Sequence, residues 1–141
     1  MNHIPAPLFL QPETTISELI VLYNIIEDKW SKYTVVADLF TDEKAHKSWI
    51  SELKKDKYFR NATHNSYARR VKLENGSIVE SSNDDGETWA GQIILREMQR
   101  VNAVNMIIVV TRYFWWVMLY GDRFRHVVDA TKIIINKILG W

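Results

Sequence analysis

The chain has no cysteine among its 141 residues. Disulfides, thiolate nucleophiles and cysteine-ligated zinc are thereby excluded together. Prolines are equally sparse: Pro5, Pro7 and Pro12 are the only 3, all at the start. An irregular tail is expected there, and uninterrupted elements beyond it. No apolar run approaches the length of a membrane span. The opening MNHIPAPLFL has neither a charged start nor a continuous apolar stretch. No secretory leader is therefore expected, and a cytoplasmic location fits. The net charge is only +1. Total charge thus gives no argument for nucleic acid or an acidic substrate. Internal repeats and low-complexity tracts are absent.

What remains is ordinary globular usage, 47% hydrophobic and 25% charged. One domain with a real core is expected at this length. Charge is uneven along the chain. Residues 54–72 hold Lys54, Lys55, Lys57, Arg60, Arg69, Arg70 and Lys72 against Asp56 alone. Residues 74–97 hold six acids against Arg96. The pattern predicts a polarised surface, or two strands that pair with each other.

Thr15 and Glu18 have capping-box spacing, which predicts a helix over 16–27. The β-branched run from Leu19 to Ile26 keeps a strand open. A strand is expected over 30–40, and a helix after Thr41 with Ala45, Trp49 and Leu53 on one face. Tyr67, Val71 and Leu73 alternate in a second strand over 65–73, and Asn75-Gly76 signals a hairpin into 77–81. A polar loop at 82–87 leads into a helix with Ala90, Ile94, Met98 and Val101 on its face. The run Met106–Val110 reads as a central strand covered on both sides. Asp122 suits the start of a last helix, striped by Phe124, Val127, Val128, Thr131, Ile134, Ile135 and Ile138. This order predicts an α+β fold with a mixed sheet and helices packed on it.

Three groups of residues carry candidate chemistry. Asp84, Asp85 and Glu87 could hold a hard cation. As a solvated loop before a helix they would instead favour its positive end, and that reading is preferred. Gly86 among them implies a tight turn, so a shaped partner contact stays open. His64 with His126 and an acid could serve as an acid–base set, but no serine or cysteine nucleophile motif accompanies them. Asn65 stands beside His64 at the strand start. Arg112, Tyr113, Trp115, Trp116 and Arg123 form an arginine–aromatic cluster. Core packing, a protein interface and base stacking all use that composition. No metal or cofactor is expected.

Four segments together resemble the Impact family and its bacterial relatives. They are Ala62 to Ala68 (ATHNSYA) after the Lys32 strand, Asp84 to Thr88 (DDGET) with Ala90-Gly91, Val109 to Phe114 (VVTRYF), and Asp122 to His126 (DRFRH). Their order spans roughly 110 residues. The resemblance implies an Impact-type domain over 29–141, behind an extension at 1–28. It implies a two-layer sandwich of a mixed four-stranded sheet and helices, similar to the second domain of a small-subunit ribosomal protein. It also implies a non-enzymatic, cytoplasmic protein-binding role in translational control under amino-acid starvation. Nucleic-acid or ribosome binding is the alternative, and a metal-dependent hydrolase a third. Family regulators usually compete for a kinase activator through an RWD domain, which residues 1–28 are too short to hold. Trp115, Trp116 and Tyr120 stand where the family usually has glycines, and Trp89 where it has a small residue. Such aromatics are expected to fill or remake any groove there.

Overall fold

The apolar run at 106–110 forms the middle of the sheet. The computed structural model describes residues 12–114 and 121–140. In chain order these give β1 (Ile20–Asp28), β2 (Ser31–Leu39), α1 (His46–Leu53), α2 (Lys57–Arg60), β3 (His64–Lys72), β4 (Ile78–Asn83), α3 (Ala90–Arg100), β5 (Met106–Phe114) and α4 (Gly121–Leu139). The sheet order is β1-β2-β5-β3-β4, and every neighbouring pair is antiparallel. Residues Met106 to Val109 are wholly inaccessible. A central strand covered on both faces explains why this run does not alternate.

The α+β class stands, and three of its details are corrected. The sheet has five strands rather than four, and it is antiparallel rather than mixed. The fifth strand is β1, in the region where a helix was expected over 16–27. Its Ile20, Val21 and Leu22 pair with Ala37, Val36 and Val35 of β2. Packing on a preformed apolar neighbour overrides a local capping pattern. The β1–β2 turn passes through Lys29 and Trp30, both at positive φ (47° and 68°).

Alternation along the strands sends two sets of side chains to opposite faces. Tyr33, Val35, Met106, Ile108 and Val110 join Ile94, Met98, Ile134 and Ile135 of α3 and α4. Val36, Ile107 and Val109 meet Phe59 and Trp49 from α2 and α1 on the other side. The short helices thus add a partial third layer to the expected two.

The two charge runs meet as strands. Arg70 of β3 lies opposite Glu80 of β4, with Nε 2.9 Å from Oε2. Arg69 points to the other face and forks onto Glu43 at 2.7 to 3.0 Å. Asn75-Gly76 makes the turn, with Gly76 at φ +88°. At Gly91 a Cβ would lie 2.9 Å from the backbone of Asn83, so only glycine lets α3 seat this close to β4. No helix among the described residues is long and apolar enough to cross a membrane.

Adjacent isoleucines on α4 provide a test of the core. Ile134 is fully buried and Ile133 is 38% exposed. Ile134→Ala should cost about 2–5 kcal/mol in denaturant unfolding, as large-to-small core changes do. Ile133→Ala should stay within about 0.5 kcal/mol. Equal losses would show that α4 packs through a different face.

Candidate functional site

Strand register brings the four segments to one end of the sheet. Arg112, near the end of β5, lies opposite Tyr33 of β2 on one side and His64 of β3 on the other. All three side chains share the α3/α4 face. Burying a guanidinium is costly unless its donors are met. Here Arg112 Nη1 donates to both oxygens of Glu87 at 2.8 and 2.9 Å. Its Nε and Nη2 donate to the Ser31 hydroxyl at 3.3 and 3.2 Å. Its Cζ lies 5.0 Å from the Phe114 ring centroid and 5.9 Å from that of Tyr33. Both Arg112 and Glu87 are buried.

His64 completes this group. Its Nε2 lies 3.1 Å from Glu87 Oε2, and its Nδ1 lies 2.8 Å from the carbonyl oxygen of Asp85. The ring thus bridges the Glu87 carboxylate and the Asp85 carbonyl. Gly86 has φ +83°, and a Cβ there would stand 3.2 Å from the His64 ring. The backbone conformation favours glycine, and a side chain there would also press on the His64 ring.

The other acids of the loop turn inward. Asp84 accepts from the Trp89 and Gly91 backbone N–H groups at 3.1 and 2.8 Å. It therefore caps α3, whose immediate N-cap residue, Trp89, contributes no side-chain bond. Asp85 Oδ2 accepts from the Asn65 backbone N–H at 2.7 Å. Asn65, itself buried, donates to the Phe59 carbonyl and accepts from the Thr111 hydroxyl, each at 2.8 Å. Asp84, Asp85 and Glu87 thus point to separate partners instead of converging on a cation.

A second layer lies under α4. His126 Nε2 sits 2.8 Å from Asp28 Oδ2, joining the last helix to the first strand. The hydrogen bond from His126 holds the Asp28 carboxyl below its ordinary range. His126 and His64 therefore serve different acids, not one acid–base set. Between these layers is Tyr33, fully buried, its phenol pushed up to about 12 by burial. Its hydroxyl and the Arg123 Nε have no hydrogen-bond partner among the described residues.

Tyr113 separates from Arg112, because neighbours in a strand face opposite ways. It lies against Tyr58 of α2, with ring centroids 5.0 Å apart. Trp115, Trp116 and Tyr120 lie outside the described residues. Sequence reasoning did not find Ser31, Tyr33, Asp28 or Trp30. Each is an isolated residue type with no motif; only the fold places Ser31 and Tyr33 beside Arg112, Asp28 beside His126, and Trp30 in the exposed β1–β2 turn.

Glu87→Ala would strand a buried arginine, and should cost about 3–5 kcal/mol in unfolding. Adding Arg112→Ala should cost much less than the sum of the single changes, because the two share one interaction. Additive losses would sink that assignment. Asp28 and Glu43 both have lowered carboxyl pKa values, Glu43 chiefly through its hydrogen bond from Arg69. A lowered folded-state value adds stability above the unfolded carboxyl pKa of about 4, and the gain is lost as pH falls through the folded value. The melting temperature should therefore drop below about pH 4, and Glu43→Gln should flatten that limb. A limb unchanged by the substitution would rule out the Glu43 contribution.

Comparison with known proteins gives this geometry a family. The Impact N-terminal domain matches residues 29–135. The Protein IMPACT homolog of Dictyostelium discoideum is 38% identical over 111 residues, covering 79% of this chain and 32% of that protein. Human Protein IMPACT is 37% identical over 90 residues, covering 62% of this chain and 28% of that protein. The chain thus spans about a third of the length of these relatives. A solved structure of the two-domain translational regulator Yih1 superposes with a TM-score of 0.54 at 25% identity, over 98% of this chain and 53% of that one. A crystal structure of a hypothetical protein shares the fold, with a TM-score of 0.64 at 20% identity over 88% of this chain and 61% of that one. By the family match over most of its length, with the four segments gathered around Arg112, this chain belongs to the Impact family.

Proposed function

We propose that this chain is a non-enzymatic, protein-binding Impact-type domain of translational control, acting in the cytoplasm, with residues 29–141 as its working unit. The observation that carries the reading is a pair of exposed, conformationally costly tryptophans at the Arg112 end of the sheet. Trp30 is 68% exposed and Trp89 is 61% exposed. Both adopt left-handed backbone, at φ 68° and 70°. A bulky residue held there costs about 1–3 kcal/mol, and such strain gathers at functional sites. Exposed tryptophans with nearby arginine are also the usual anchors of protein interfaces. Arg112 is buried and paired with Glu87, which leaves Arg123 to supply that arginine, and Trp115 and Trp116 follow directly after β5 in sequence. The polar groups beneath act as a scaffold: Asp84, Asp85, Asn65, Glu87 and His64 hold the loop that presents Trp89. Carboxylates engaged with backbone amides and a buried arginine support binding over hydrolysis. The link to translation rests on the likeness to Yih1, which is described as a translational regulator.

One observation favours the nucleic-acid reading. A hollow of about 660 Å³ beside α1 is lined by His46, Lys47, Lys54, Lys55 and Arg60, with no acid. It lies on the α1/α2 side of the sheet, opposite Arg112. Basic hollow and tryptophans therefore do not form one surface, and Arg69 and Arg70 are already paired.

Trp89→Gly separates the interface from the fold. Glycine accepts the left-handed backbone, so stability should hold or rise by up to about 1 kcal/mol. Affinity capture from nuclease-treated lysate should recover a protein set with the wild-type chain that Trp89→Gly and Trp30→Ala both lose. Capture that disappears with nuclease and falls steeply with salt would instead assign the chain to nucleic acid.

A further inference from the structure

Helix α1 divides the second face of the sheet into two hollows of opposite charge. The basic one lies toward β3 and β4. On the β1 side are two adjoining hollows of about 390 and 410 Å³ that share Trp49 and Glu52. Leu19, Val21, Tyr23 and Leu53 line the first, and Leu39 and Phe40 the second. Every charged residue lining either is an acid: Asp38, Asp42, Glu52 and Asp56. Leu19 and Tyr23 remain 55% and 52% exposed, and Leu39 45%.

The same hollows run along an open strand. β1 is the edge of the sheet, paired only with β2 among the described residues. Edge strands are normally blunted by lysine, proline or a bulge. β1 has no lysine or proline in IVLYNIIED, and its irregularity lies between Leu22 and Ile26. The stretch 19–22 before it is apolar, keeps regular register with β2 over 20–22, and has no further strand beside it among the described residues. β1 also lies outside the residues 29–135 that the family matches. This surface therefore stands apart from the Arg112 end and from the reading built on it.

We propose that the β1 edge and its acidic hollows receive an extended segment of a protein partner, one that alternates apolar side chains with lysine or arginine and adds as a sixth strand. Backbone pairing along 19–22 would supply the affinity, as in other strand additions. The basic side chains lie over the hollows, their stems along Leu19 and Tyr23 and their charges at Glu52 and Asp56, while the alternate apolar ones point to the other face beside Ile20 and Leu22. The existing Glu52–Lys55 contact (2.8 Å) is a pair of exposed side chains, which binding can exchange at little cost.

The probe is a labelled peptide of alternating lysine and valine, titrated into the full chain at low salt. It should bind, slow amide exchange at residues 19–22, and be ignored when glutamate replaces lysine. A lysine–proline peptide, which keeps the charge but cannot pair, should fail. Leu19→Asp and Glu52→Lys, both at the surface, should each weaken binding by about tenfold, the loss of one good contact. Thermal melts of both variants should match the wild type. Trp30→Ala should bind the peptide normally, which keeps this test separate from the tryptophan interface. No binding, equal binding of the proline peptide, or no protection at 19–22 overturns the proposal. Self-association in sedimentation that Leu19→Asp abolishes also overturns it, because the edge would then belong to a second copy.

Discussion

The buried pair of Arg112 and Glu87 holds one end of the sheet together. The guanidinium comes from the central strand and the carboxylate from the loop before α3. Ser31, at the start of β2, takes two more of the guanidinium donors. His64, at the start of β3, completes the carboxylate's shell. Three neighbouring strands and one helix entry therefore converge on two charges. Such a pair adds little net stability over well-packed apolar residues, but either charge left alone is heavily destabilising. The geometry it imposes, more than its energy, explains its place: it fixes where the loop carrying Gly86 and Trp89 must lie.

Much of this was legible in the sequence, where the pattern was strong and local. The stripe on α4 was read correctly because Val127, Thr131, Ile134 and Ile135 repeat at helical spacing, and all four are buried. Asn75-Gly76 announced its turn. The basic and acidic runs did pair, through Arg70 and Glu80. The failures share a cause. At β1 a helix was preferred over a strand because Thr15 and Glu18 imitate a capping box, whereas its true partner, β2, is set by tertiary packing. The acids at 84 and 85 were preferred as a loop favouring the positive end of a helix, and Asp84 does accept from N–H groups at the start of α3, but sequence shows charge without direction and did not give Asp85 its partner in the Asn65 amide. Arg112 and Tyr113 read as one cluster, yet strand alternation puts them on opposite faces.

The two faces also divide the chemistry. Toward α3 and α4, the polar groups at the Arg112 end are buried and mutually engaged. Toward α1, charged groups line open hollows, acids along β1 and bases along β3. A near-zero net charge conceals this arrangement, because the two sets cancel in the sum while remaining apart in space. Local charge therefore says more than total charge about what each surface attracts.

The strand order has a consequence for how the chain is made. β1 and β2 form one hairpin, and β3 and β4 another, each from residues close in sequence. Among the described residues, only β5 joins the two hairpins in the sheet, pairing with β2 and β3 at once. A chain emerging from the ribosome thus holds two separate half-sheets, each with an unpaired edge, until residue 114 has been synthesised. Long-range pairing of this kind is slow to form and leaves such edges exposed meanwhile. Insertion of β5 closes the sheet, buries Val35 and Val36, and in the same movement brings Arg112 to Glu87.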